Sequence, residues 1–251
     1  MSNAPDSADA AQRLRDHLTS VRTLRAGARA DPATQARRVA LRAFQAQRLE
    51  RTYPDLLASQ RYNPAATFFL SDLYGAKDVT ARDEGVARIL PMLVRIMPAA
   101  ALETIAHALE LDALSEQLDL ALVAELRRRD PSGAAGITDA AYAAAYRAAG
   151  TRTDRERQIA LTGEIGVALD RLARKPLLAG ALRVMEAPAR NAGLGALHDF
   201  LARGLKAFRH MRGAEEFLRI IDRRERLIND RILNGVSEPF MVRPEGLGQR
   251  A

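Results

Sequence analysis

A chain of 251 residues with 47% hydrophobic and 27% charged residues has the composition of an ordinary folded protein, long enough to bury a sizeable core without covalent staples. The absence of cysteine excludes disulfides and thiolate chemistry, and it leaves any metal site to His, Asp and Glu. The net charge of +7 is uneven: 11 arginines face 6 acids in residues 1–62, 7 bases face 11 acids in 63–130, and 20 bases face 14 acids in 131–251. A basic balance can mark a nucleic-acid or anionic-surface binder. With 35 arginines against three lysines and abundant alanine, however, the excess reads as GC-rich codon usage. No apolar core follows a basic start at the N-terminus, and the apolar runs fall far short of the roughly 20 residues a membrane span needs. The expectation is a soluble, cytoplasmic protein, and a reducing compartment fits the lack of cysteine.

Strong helix formers dominate and alternating β-branched runs are missing, so the chain reads as helix almost throughout. A first helix is expected over 8–30, stopped by Asp31-Pro32, and a second over 34–59 that Pro54 kinks or shortens. Asn63 reads as the N-cap of a short helix with Pro64 in its first position, and Gly75 as its left-handed stop. Thr80 with Asp83 opens the next helix, which Pro91 bends. Pro98 starts a long helix to about residue 129, whose acids come early and whose three arginines come last, as the helix dipole favours. The stretch 130–138, DPSGAAGIT, is the clearest break in the chain.

Beyond it, Thr138 starts a short helix ending at Gly150, and Thr153 with Glu156 reads as a capping box for a helix to about residue 175. Pro176, Pro188 and Gly213 divide the rest into three more helices, the last over 214–233. The fold expected is an all-α multi-helix bundle of roughly ten helices with no sheet. Its segments are an N-terminal helix (1–32), a helical domain (33–130), a C-terminal helical region packed on it (131–235) and an extended or disordered tail (236–251).

The short helix YNPAATFFLSDLYG holds four of the chain's few aromatic residues, Phe68, Phe69 and Tyr74 among them. At helical spacing Ala66, Phe69, Leu70 and Leu73 form a buried stripe, while Phe68 and Asp72, at i and i+4, project together from a neighbouring strip. Core packing is one reading of these aromatics. The other is that Phe68, Asp72 and Tyr74 line a pocket or groove. FFLSDLY resembles the signature of a bacterial family of uncharacterised proteins known by an FFLEELY motif. Phe68, Phe69, Leu70, Leu73 and Tyr74 match, Ser71 and Asp72 stand where the motif has two glutamates, and the likeness extends over roughly residues 35–130. The resemblance implies a family and no activity.

Glu103, His107 and Glu110 fall at i, i+4 and i+7 on the long helix, nearly one above another. Such a face can contribute to a divalent-metal site inside a bundle, or form a polar seam, since one helix supplies too few ligands for a closed site. Leucines on both sides of this helix place it centrally. Glu103, Glu110 and Asp119 then need partners, for which Arg82, Arg88 and Arg95 are nearest in sequence. His198 beside Asp199, and His210, complete no nucleophilic arrangement, and no phosphate-binding glycine loop is present. Glu215 with Arg219 and Asp222 with Arg226 pair along the last helix.

The function expected is that of a non-catalytic binding or regulatory protein without cofactor. Its contact surface would be the 68–74 helix and the acidic helix 99–129, facing a basic or amphipathic protein partner, with nucleic acid disfavoured and a homodimer possible. The alternative is a helical-bundle enzyme or a small-ligand or metal carrier with a pocket near Glu103, His107 and Glu110.

Overall fold

The computed structural model describes residues 4–73, 80–96 and 99–242, and every regular element among them is helical. The all-α expectation holds. The first five elements are α1 (Ala4–Ala30), α2 (Pro32–Thr52), α3 (Pro54–Ala58), α4 (Asn63–Phe68) and a π-helical turn (Phe69–Leu73). Then come α5 (Thr80–Ile96), α6 (Ala99–Arg129), α7 (Asp139–Ala149) and α8 (Arg152–Ala173). The chain continues through α9 (Pro176–Asn191), α10 (Gly195–Met211) and α11 (Glu215–Leu233).

The boundaries follow from local chemistry, with four departures from the sequence reading, one of them Pro188, which lies inside α9 and does not divide it. Asp31 caps α2 by accepting from the Ala33 amide at 3.0 Å, with Pro32 in the first helical position. The expected 34–59 helix is two helices. Pro54 disfavours helical backbone at the residue before it, and Tyr53 leaves the helix at φ −122°, ψ 40°. Asn63 is not the cap of α4 but its first residue, and its side-chain amide donates to the Leu57 carbonyl at 2.6 Å. Thr138 caps α7 as read. The cap of α8 is Thr151, two residues before the expected Thr153; its hydroxyl accepts from the Asp154 amide and donates to the Asp154 carboxylate. Gly75, the side chains of Thr80 and Asp83, and the tail beyond Val242 lie outside the described residues.

Helix α6 is the axis of the molecule: α1, α2, α7 and α8 all pack on it. That accounts for leucines on two sides, since Leu102, Leu118 and Leu122 are all buried. One apolar core joins Leu41 and Phe44 of α2, Leu122 and Leu126 of α6, Tyr142 of α7 and Ile228 of α11. A second joins Tyr53, Tyr62 and Phe68 to Phe208, Phe217 and Ile220. Both draw on residues from either side of the 130–138 break. That break is a loop wound on Asp130, whose carboxylate accepts from the Gly133 and Ala135 amides. The first part of the expected tail is docked: the Phe240 ring lies 5.8 Å from Tyr142, and Arg231 donates to the Glu238 and Met241 carbonyls. Its short aromatic contact is what the composition-based reading of the tail could not show.

Candidate functional site

The two phenylalanines of FFLSDLY both pack on the core. Phe68 is 6% exposed and packs 5.4 Å from Phe200, so it turns into the core. Phe69 is half-buried and, with Leu70, packs on the same core as the stripe expects, its ring 5.7 Å from Phe217 and 6.2 Å from Phe208. A π turn begins at Phe69. Asp72 falls in that turn, but its side chain, and Tyr74 as a whole, lie outside the described residues.

Beside the turn, an open groove of about 1520 Å³ runs between the Gln60–Ser71 segment and the C-terminal half of α10. Pro64, Phe68 and Met211 give it an apolar floor. Arg61, Arg203, Lys206, Arg209 and Arg212 line it with His210, and among the described residues no acid does. Its lip is built with care. Arg61 donates through Nε to the Met211 carbonyl at 2.8 Å and through Nη2 to the Gly213 carbonyl at 3.2 Å, clamping the α10–α11 corner from both sides. His210 donates from Nε2 to the Gln60 carbonyl at 3.0 Å, tying α10 to the other wall. Between the two clamped carbonyls Arg212 adopts left-handed backbone at φ 53°, where a Cβ is crowded. Strain of this kind persists only where surroundings enforce it, and it gathers at functional sites.

The acids of α6 are used within the molecule. Glu103 pairs with Arg13, Glu110 with Arg157 and Asp112 with Arg25. Glu116 accepts from Arg25, Arg38 and Arg42, and Asp119 accepts from Gln45 at 2.8 Å. The partners described come from α1, α2 and α8, which flank α6, whereas Arg88 donates to the Ala192 carbonyl and the side chains of Arg82 and Arg95 lie outside the described residues. Burial alone pushes the Glu116 carboxyl up, but the Arg38 hydrogen bonds and the charges of Arg42 and Arg25 override it and hold it below the usual range. Burial raises Asp119, and the Gln45 hydrogen bond and the charges of Arg42 and Arg155 do not offset it.

The Glu103, His107 and Glu110 column is only partly assembled. His107 lies 3.4 Å from Glu103 and 3.5 Å from Glu164 of α8, while Glu110 turns away to a two-pronged pair with Arg157. Among the described residues no three His, Asp or Glu side chains could hold a metal ion together. A hydrogen bond from Arg157 holds the Glu110 carboxyl below its ordinary value, as expected of a structural ion pair.

Sequence reasoning missed the groove cations, although one signal was available. Lys206, Arg209 and Arg212 recur at three-residue spacing on a single helix end, without an acid between them.

The family model described as "Domain of unknown function (DUF8198)" matches residues 24–239. The chain belongs to this family. The DUF8198 match begins inside α1 and ends at Pro239, so the groove, α6 and the start of the docked tail all fall within the family's unit. No curated protein and no solved structure matches the chain. Among the described residues, no helix of this DUF8198 chain is long and apolar enough to cross a membrane.

Proposed function

We propose that this DUF8198 chain is a non-catalytic binding protein that holds an acidic, amphipathic protein segment in the groove beside Phe68 and Ser71. One observation carries the reading: among the described residues every charged side chain lining the groove is cationic, and Lys206, Arg209 and Arg212 make no ion pair there. The sequence points to a basic partner because residues 63–130 are net acidic. Most acids of α6 meet arginines of the same chain, so the charge left over for a partner on the groove has the opposite sign. The groove is wider than the roughly 300–1,000 Å³ of small-molecule pockets, which favours a chain segment over a metabolite. Its floor is apolar, and the one phenylalanine among its described residues, Phe68, is buried and not free for base stacking, which favours protein over single-stranded nucleic acid. The likeness of 68–74 to the FFLEELY signature is retained here as the mark of the contact region, and the lack of cysteine is in keeping with a partner in a reducing compartment.

The test is fluorescence anisotropy with a labelled Glu/Leu peptide and an oligonucleotide of equal charge. The peptide is expected to bind more tightly, with affinity falling as salt rises. Lys206→Glu with Arg209→Glu is expected to weaken it by about tenfold or more while leaving the helical circular dichroism unchanged. Equal binding by wild type and the double variant, or a preference for the oligonucleotide, rejects the reading.

A further inference from the structure

A second space lies inside the bundle, away from the groove, where α2, α7, α8 and α11 meet the turn at Phe69. It is a cavity of about 120 Å³, walled largely by apolar side chains that include Phe69, Leu70, Phe217 and Leu218. Two arginines, Arg48 of α2 and Arg155 of α8, stand in its lining.

Most polar groups around this cavity are matched. The Tyr146 hydroxyl donates to Asn229 Oδ1 at 2.9 Å, Gln158 Nε2 donates to Ser115 Oγ at 2.9 Å, and Arg48 Nη1 and the Tyr53 hydroxyl both reach Glu225 Oε1. The arginines are the exception. Arg48 Nε, Arg155 Nε and Arg155 Nη2 are buried and meet no acceptor. Arg155 is 3% exposed; its guanidinium lies 4.0 Å over the Tyr146 ring, and Nη1 reaches Gln158 at 3.3 Å. Among the described residues no carboxylate lies within ion-pair reach of it. The nearby residue 150 is a glycine, whose Cβ would stand 3.4 Å from Nε and 3.2 Å from Leu118 Cδ2.

A buried guanidinium whose N–H groups meet no acceptor is expensive, because it does not shed its proton as a buried lysine would. Natural interiors answer such a group with an acceptor. Asp119 is near enough for its charge to act on Arg155, but no hydrogen bond joins the two, and Asp119 Oδ1 accepts from Gln45 instead. What the site lacks is an anion with two acceptor oxygens, matching the Nε and Nη2 fork, on a small apolar body that suits the phenylalanine and leucine wall. The volume sets the size: a cavity of about 150 Å³ takes benzene, so an apolar body of at most about six carbons fits.

We infer that the cavity between α2, α8 and α11 is a binding site for a small apolar monocarboxylic acid, with Arg155 receiving the carboxylate and Arg48 assisting. This site is independent of the groove and of its partner.

Isothermal calorimetry on the full chain with benzoate and hexanoate, against benzyl alcohol as a neutral counterpart, tests it. At least one acid is expected to bind, about tenfold tighter than the alcohol or more. Arg155→Met is expected to abolish that preference. Because removing Arg155 could disturb packing on Tyr146, Gly163→Leu provides a second arm. Gly163 lines the cavity within α8, and a Cβ there meets nothing within 4 Å, so leucine occupies free space, favours the helix and leaves both arginines in place. It is expected to fold and to lose acid binding. No binding of either acid at millimolar concentration means that water alone satisfies the arginines, and overturns the inference. Equal affinity for benzyl alcohol, or unchanged binding by folded Gly163→Leu, overturns it as well.

Discussion

Phe68 rests its ring on Gly204. A Cβ at position 204 would come within 2.9 Å of Phe68 Cζ, closer than side chains approach, so the glycine of α10 is the seat for the first aromatic of FFLSDLY. Gly204→Ala therefore sets two effects against each other. Alanine improves the helix by about 1 kcal/mol, while overpacking a rigid ring costs about 1–3 kcal/mol. Phe68 is held on its other sides by Phe69 and Phe200, so it has little room to retreat and the loss wins. We expect a lower urea midpoint for the variant; a higher one means Phe68 is not seated there.

Glu116 gathers Arg25, Arg38 and Arg42 around a carboxylate that is 1% exposed. Such a hub adds little over a well-packed apolar core, but removing its one anion strands buried cations. Glu116→Gln keeps the shape and deletes the charge. Its cost is expected near 3–5 kcal/mol, read as a shift in guanidinium unfolding at pH 7. A change below about 1 kcal/mol would mean that water already solvates the three guanidinium groups.

The same carboxyl gives the stability curve its acid limb. Its folded value lies below the unfolded one near 4.5, so its contribution is complete above that pH and is lost as pH falls through the folded value. Glu110 adds in the same direction. Melting temperatures from pH 7 to pH 3 should therefore fall for wild type. Glu116→Gln, which has already lost the main term, should give a flatter profile; parallel curves would assign the acid limb to other groups.

The helices were legible wherever a boundary is local. Pro98 and the closing arginines framed α6, and Thr138 marked α7 through a side chain that bonds three residues on. What the sequence hid was long-range. Arg38 and Glu116 are 78 residues apart, and Arg157 and Glu110 are 47, so no window of helical periodicity could pair them. Counting charges by segment then misled: an acidic stretch looked like an exposed surface because its counter-charges lay on α1, α2 and α8. The burial of Phe68 was hidden for the same reason, since the Phe200 and Gly204 that receive it lie more than 130 residues away.

Arg212 links stability to the groove. Its left-handed backbone suits glycine and burdens any residue with a Cβ, yet an arginine stands there with its side chain exposed among the groove cations. Arg212→Gly removes that strain, while glycine's freer unfolded chain takes back part of the gain. The net effect on stability is expected to lie between zero and about 1 kcal/mol in the variant's favour. Affinity for the acidic peptide should fall several-fold, because one groove cation is gone. Such an opposition is expected where strain is kept for function. Unfolding and anisotropy measured on the same preparation decide it: a less stable variant would give the Arg212 side chain a structural role, and unchanged peptide binding would remove it from the contact surface.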